Sequence, residues 1–162
     1  MKNLYMIRHA KSDWENELSD FERGLNKRGK NNAPMMGKVL HSLKISPDII
    51  ITSSAVRAKT TAKMIAKELK YSEKDILQKD SLYLASKEKF YKVINNLDDK
   101  YNSAMIFSHN PGITEFVESL TNNYITNIPT CGVCHIKIDV HSWADIFKGL
   151  GELVFFDFPK NH

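Results

Sequence analysis

Apolar residues gather into short continuous runs at Leu4–Ile7, Ile49–Ile51, Ala104–Phe107 and Leu153–Phe156. Runs of this length, without alternation, mark strands, and the first needs a buried environment on both faces. Between them the apolar positions take helical spacing. Ala33, Met36, Val39, Leu40 and Leu43 predict a helix that begins at an Asn26 cap. Pro34 interrupts it, so the helix is either kinked there or regular only from about that residue. Ala58, Ala62, Ile65, Ala66 and Leu69 predict a second helix from about Val56. Ser86 caps a third, running to about Leu97, and Ile113, Phe116, Val117 and Leu120 give the face of a fourth after Pro111. Ile76-Leu77 reads as an edge strand, and the alternation of CHIKIDV places another within Cys131–Val140. Trp143, Ile146, Phe147 and Leu150 form a local apolar group. Strands alternating with helices predict an α/β protein: one domain over residues 1–162, a three-layer α/β/α sandwich around a mainly parallel sheet.

The strand exits carry the chemistry. The first run ends in Arg8-His9, followed by Ala10, Lys11 and Ser12. The second ends in Thr52-Ser53-Ser54, with Arg57 in the opening turn of the next helix. The third delivers His109-Asn110-Pro111-Gly112. Open α/β sheets bind ligands at the carboxyl ends of their strands. Arginine offers a planar fork of donors to an anion, and histidine offers an uncharged ring nitrogen near neutral pH. An arginine at a helix N-terminus is locally unfavourable, by roughly 0.3–1 kcal/mol, unless an anion binds there. Two histidines and two arginines at three such exits describe a phosphate pocket with its own nucleophile. Taken singly, each has a plainer reading: Arg8 and His9 as loop residues, Arg57 in solvent, His109 as a hydrogen-bonded core histidine.

The polar stretch 11–23 reads as an ordered loop over that pocket, anchored by Trp14, Leu18 and Phe21. Arg23 leans inward as a phosphate ligand oriented by Asp20, or the two form a surface ion pair of little consequence.

Composition narrows the classes. The 162 residues carry a formal charge of +4, which is compatible with an anionic substrate but does not identify one. The lysines are scattered and interrupted by Asp13, Glu15, Glu17, Asp20 and Glu22, so no nucleic-acid platform is expected. The apolar run after Lys2 is too short for a signal peptide or a span, and a cytoplasmic protein without membrane partners is expected. Cys131 and Cys134 stand without a second cysteine pair, so structural cysteines are expected over a metal or redox site. His41, His135, His141 and His162 have no inferred partners and read as structural or exposed.

The segments LYMIRHAKS at 4–12, DFERGLNKRG at 20–29, ITSSAVRAKTTA at 51–62, LYLAS at 82–86, SHNPG at 108–112 and PTCGV at 129–133 occur in one order. In that order they resemble the histidine phosphatase superfamily, with its phosphoglycerate mutase-like fold, and most of all its small bacterial phosphohistidine phosphatases. The resemblance implies that His9 is the nucleophile and that Arg8, Arg57 and His109 form the phosphate-binding core. It also implies that Arg23 joins them, with Ser12 and Asn110 completing the substrate-binding set, and that neither metal nor cofactor takes part. Two positions depart from the family pattern. Gly24 stands where a proline is expected, and Leu84 stands where larger members carry the glutamate that protonates an alcohol leaving group. Glu88 and Asp13 are the replacements within sequence reach.

The function expected is hydrolysis of phosphohistidine on a phosphoprotein, such as a phosphorelay domain, by a monomer. The alternatives are a small-molecule phosphomonoesterase of the same superfamily and a non-catalytic phosphate-binding module.

Overall fold

The computed structural model describes residues 1–162. Six strands form one sheet: β1 (Lys2–Arg8), β2 (Ile49–Ser53), β3 (Leu77–Lys79), β4 (Ser103–Ser108), β5 (Val133–Ile138) and β6 (Gly151–Asp157). Their order is β3-β2-β4-β1-β5-β6. The first four run parallel, and β5 and β6 are antiparallel additions beside β1.

Four helices cover the sheet: α1 (Lys27–Ser42), α2 (Val56–Glu68), α3 (Lys87–Asn95) and α4 (Gly112–Thr121). Alternation within each apolar run sends successive side chains to opposite faces. Leu4, Met6, Ile49, Ile51, Ala104 and Ile106 pack with Phe90 and Ile94 of α3 and Ile113, Phe116, Val117 and Leu120 of α4. Tyr5, Ile7, Ile50, Met105 and Phe107 pack on the other face with Ala33, Met36 and Leu40 of α1 and Ala62, Ile65 and Ala66 of α2. Two separate cores on one sheet are the three-layer sandwich the pattern implied.

The caps fall where expected. Asn26 accepts from the Gly29 N–H at 2.9 Å, and Ser86 accepts from Lys89. Helix α1 runs through Pro34 instead of starting near it. Its first turn docks against the chain leaving β1: a Cβ on Gly29 would stand 2.2 Å from the Lys11 carbonyl oxygen. That contact holds α1 against the segment beginning the site loop.

Two local expectations need correction. Phe147 and Leu150 do not join Trp143 and Ile146 inside. Phe147 is 61% exposed because only residues 143–145 form a helical turn and the chain then swings out. Trp14, Leu18 and Phe21 are surface residues, not anchors into a core. Cys131 and Cys134 are free and buried, and burial pushes both thiols up to about 12. No group of three or more His, Cys, Asp or Glu side chains is placed to hold a metal ion, and no helix is long and apolar enough to cross a membrane.

Candidate active site

Register explains why residues far apart in the chain meet. Arg8 pairs with Ser108 across the parallel β1/β4 ladder, so His9 and His109 are each the next residue at the same sheet edge. Strand β2 lies on the other side of β4 and delivers Ser53, Ser54 and then α2 to that edge. The two histidine rings lie 5.2 Å apart, centre to centre. Arg57, in the first turn of α2, points its Nε at His9 Nε2 from 3.4 Å. His9, Arg23, Arg57, His109 and Ser12 are all buried.

The His9 ring is fixed in one tautomer. Its Nδ1 lies 2.7 Å from the Ala10 carbonyl oxygen. A carbonyl only accepts, so Nδ1 carries the proton and the neutral ring leaves Nε2 with its lone pair. Burial lowers the His9 pKa most. The bond to Ala10 opposes this, while the charges of Arg57, Arg8 and Arg23 reinforce it, and the result is about 3. The Ala10 N–H donates to Thr61 Oγ1, which itself bonds the Arg57 carbonyl, so β1's exit is tied to α2.

His109 Nε2 lies 2.7 Å from Ser53 Oγ, and its Nδ1 is buried without a partner. Burial, then the neighbouring His9 and Arg57, lower its pKa to about 3. Arg8 donates from Nη1 to the Ile128 carbonyl at 3.0 Å, and its buried Nε has no partner. Buried polar atoms rarely lack partners. Two such atoms, on residues adjoining His9 in the chain and across the sheet edge, are left with hydrogen-bonding capacity to spare.

Arg23 donates from Nε to Ser12 Oγ at 3.2 Å and stacks over the Trp14 ring at 3.6 Å. Asn110 is engaged within the protein: its amide group donates to Asn127 and to the Ile128 carbonyl, and its oxygen accepts from Thr114. It therefore braces the loop whose carbonyl also holds Arg8.

Asp20 has a more central place than sequence suggested. Its carboxylate bridges both arginine forks: Arg23 Nη2 at 2.9 Å and Arg57 Nη2 at 3.0 Å. Tyr83 donates its hydroxyl to the same carboxylate, and Arg57 Nη1 bonds the Asp20 carbonyl. Burial acts to raise the Asp20 pKa, but the Tyr83 and arginine bonds outweigh it and bring it to about 2. Tyr83 also meets the His109 ring edge-on at 5.5 Å. Ser53 and Tyr83 were not singled out from sequence. Ser53 had a usable signal, since it ends β2 at the rank at which Arg8 ends β1.

The two replacement carboxylates lie elsewhere in their own contacts. Asp13 binds the Glu15 N–H and the Asn16 side chain, and Glu88 is exposed on α3. Leu84 is exposed and sits at a φ of 49°. A groove of about 570 Å³ between β3 and α3, lined by Leu77, Val93, Leu97 and Tyr101, shares no residue with the cluster. Its walls carry lysines but neither histidine nor arginine, so the charged edge remains the candidate site.

The family model of the histidine phosphatase superfamily (branch 1) matches residues 4–83, which hold Arg8, His9, Arg23 and Arg57. With that motif segment set on this fold, the chain belongs to the histidine phosphatase superfamily. An uncharacterised chloroplastic protein of Arabidopsis thaliana is 27% identical over 155 residues, covering 90% of this chain and 71% of its own. Among solved structures, SixA from Agrobacterium tumefaciens superposes with a TM-score of 0.84 at 24% identity, covering 98% of each chain. The protein histidine phosphatase SixA complexed with tungstate gives a TM-score of 0.84 at 18% identity, again covering 98% of each. At these identities the two structures establish a shared fold.

Proposed function

We propose that this chain is a phosphohistidine phosphatase that removes phosphoryl groups from histidines of phosphoproteins through a phospho-His9 intermediate. The observation carrying the proposal is the state of His9: a neutral ring, its Nδ1–H held by Ala10, its unprotonated Nε2 lone pair met only by a long 3.4 Å bond from Arg57 Nε. A nucleophile needs that lone pair, and a transferring phosphoryl group needs positioned positive charge. The SixA likeness adds weight, since tungstate in one of those structures is itself a tetrahedral oxyanion.

In the first step His9 Nε2 attacks phosphorus in line, the N–P bond forms, and the bond to the leaving group breaks. The ring keeps its Nδ1 proton, so phospho-His9 carries imidazolium charge that Ala10's carbonyl stabilises. Arg8, Arg57, Arg23 and His109 Nδ1 surround the equatorial oxygens, with Ser12 holding Arg23 in place. In the second step water attacks phosphorus, and His9 departs as the same neutral tautomer it began in.

Leu84 bears on the substrate. A site without the family's glutamate at that position suits an imidazole leaving group, which departs far more readily than an alkoxide. The test is substrate profiling with a phosphohistidine protein, an alkyl phosphomonoester and a small phosphoramidate. Preference for the phosphohistidine protein is expected. A strong alkyl preference would establish the small-molecule phosphomonoesterase instead, and binding without turnover of any substrate would establish a phosphate-binding module.

A further inference from the structure

Resting on that reading, we propose that Asp20 is the proton carrier of the reaction: it protonates the departing group in the first step and accepts the proton of the attacking water in the second. The site loop brings this carboxylate into the two-arginine cradle, where Arg23, Arg57 and Tyr83 each donate to it. No phosphoryl group can take the Nη2 donors of Arg23 and Arg57 without confronting that carboxylate.

Electrostatics gives the consequence. At rest the arginines keep Asp20 ionised. A phosphoryl group entering the cradle takes those donors and sets its own negative charge beside the carboxylate. Like charges sharing one site raise the proton affinity of one of them strongly. A phosphoryl group has a second pKa near 6, so about pH 7 part of it arrives as a monoanion that still holds a proton. Moving that proton from the phosphoryl oxygen to Asp20 turns monoanion plus carboxylate into dianion plus carboxylic acid, with no outside donor.

The steps then balance. The bond from phosphorus to the leaving nitrogen breaks, the His9 Nε2–P bond forms, and the Asp20 proton goes to the departing imidazole. That ring leaves neutral instead of as imidazolate. Asp20 is again a carboxylate when water enters, accepts one of its protons, and returns it with the phosphate product. The charged and titratable groups facing Asp20 are Arg57 from α2, Arg23 from its own loop and Tyr83 from the segment before α3. Behind them lie Arg8 and His9 at the end of β1 and His109 after β4.

The test compares two substrates in Asp20→Asn. Phosphohistidine protein has a leaving group that gains from a proton, and 2,4-dinitrophenyl phosphate has one that does not. Pre-steady-state formation of the phosphoenzyme is measured for each. General-acid help is worth about 10²–10⁴-fold, so the loss with phosphohistidine is expected to exceed the loss with the dinitrophenyl ester by at least about 10²-fold. Asp20→Glu should recover part of the difference. Equal losses with both substrates would make Asp20 a positioning residue for the arginines and overturn the proposal. A selective loss in Tyr83→Phe with none in Asp20→Asn would move the role to Tyr83 and overturn it too. Wild-type protein that forms no phospho-His9 would instead defeat the underlying phosphatase reading, which separates the two failures. Circular dichroism and the urea midpoint report separately whether each variant folds.

Discussion

Arg57 ties four groups together: His9 Nε2, the Asp20 carbonyl, the Asp20 carboxylate and, through its own backbone carbonyl, Thr61. Its guanidinium places positive charge against His9, the proposed nucleophile, and so against the phosphate oxygens expected there. Truncation to Arg57→Ala should therefore lower kcat by ~10²–10³-fold, the range for a single electrostatic donor. Arg8→Ala should do the same, because its unpartnered Nε is a donor in reserve. Stopped-flow phosphoenzyme formation reads both, and rates within a few-fold of wild type would remove the arginines from the clamp. Arg57→Lys should recover little, since an ammonium cannot reproduce the fork. Sequence gave the identities of these residues through their place at strand exits. It did not give Asp20's role, because the bridge to Arg57 spans 37 positions and depends on how the site loop folds back.

Helix α4 begins at the site edge and owes its position to a contact with almost no spare room. A Cβ on Gly112 would fall 1.8 Å from the Ala85 carbonyl oxygen and 3.2 Å from the Phe90 ring. Backbone cannot yield as a flexible side chain does, so Gly112→Ala should cost about 1–3 kcal/mol as an overpacking change. It should also loosen His109, three residues earlier. Phe90→Ala, at a fully buried position under α4, should cost about 3–5 kcal/mol. Urea denaturation measures both, and a neutral Gly112→Ala would show that α4 docks less closely than described. At this scale the sequence was legible wherever an element had a buried side. Continuous apolar runs marked β1, β2 and β4 because helices cover both of their faces. The run at Leu153–Phe156 also marked a strand, β6, where Val154 is exposed because a margin strand has less structure to bury it. Phe147 misled because apolar spacing alone does not show where a short turn ends.

Across the whole molecule, two ring systems are held neutral inside a folded protein, and that couples stability to pH. His9 and His109 both fall to about 3 in the fold, from an ordinary value of 6.5. Between those values the unfolded chain binds protons that the folded chain does not, so stability is full above about pH 6.5 and declines as pH falls toward 3. His135, stacked on Tyr5 at 4.4 Å and lowered to about 4 by burial and then Lys137, adds to the same window. Asp20 acts only lower, losing its contribution as pH falls from 3.8 toward about 2. Urea midpoints should therefore drop from pH 7 to pH 4.5. The decline should be shallower in His9→Asn/His109→Asn, without vanishing, because His135 remains. An unchanged slope in that double variant would mean that the site histidines do not stay neutral on folding. The three-layer arrangement was readable from the alternation of strands and helices, and the parallel half of the sheet follows from crossover connections. The antiparallel β5 and β6 were not distinguishable by pattern, since direction in a sheet leaves no mark on apolar spacing.

The central claim is that His9 Nε2 takes the phosphoryl group. Incubation with a ³²P-labelled phosphohistidine protein, an alkaline quench that preserves phosphoramidates, and peptide mapping would read it directly. The account predicts label on the peptide containing His9, attached at Nε2, and none in His9→Ala, which should not turn over. Turnover by His9→Ala at the wild-type rate, or label on His109 in the wild-type protein, would contradict it.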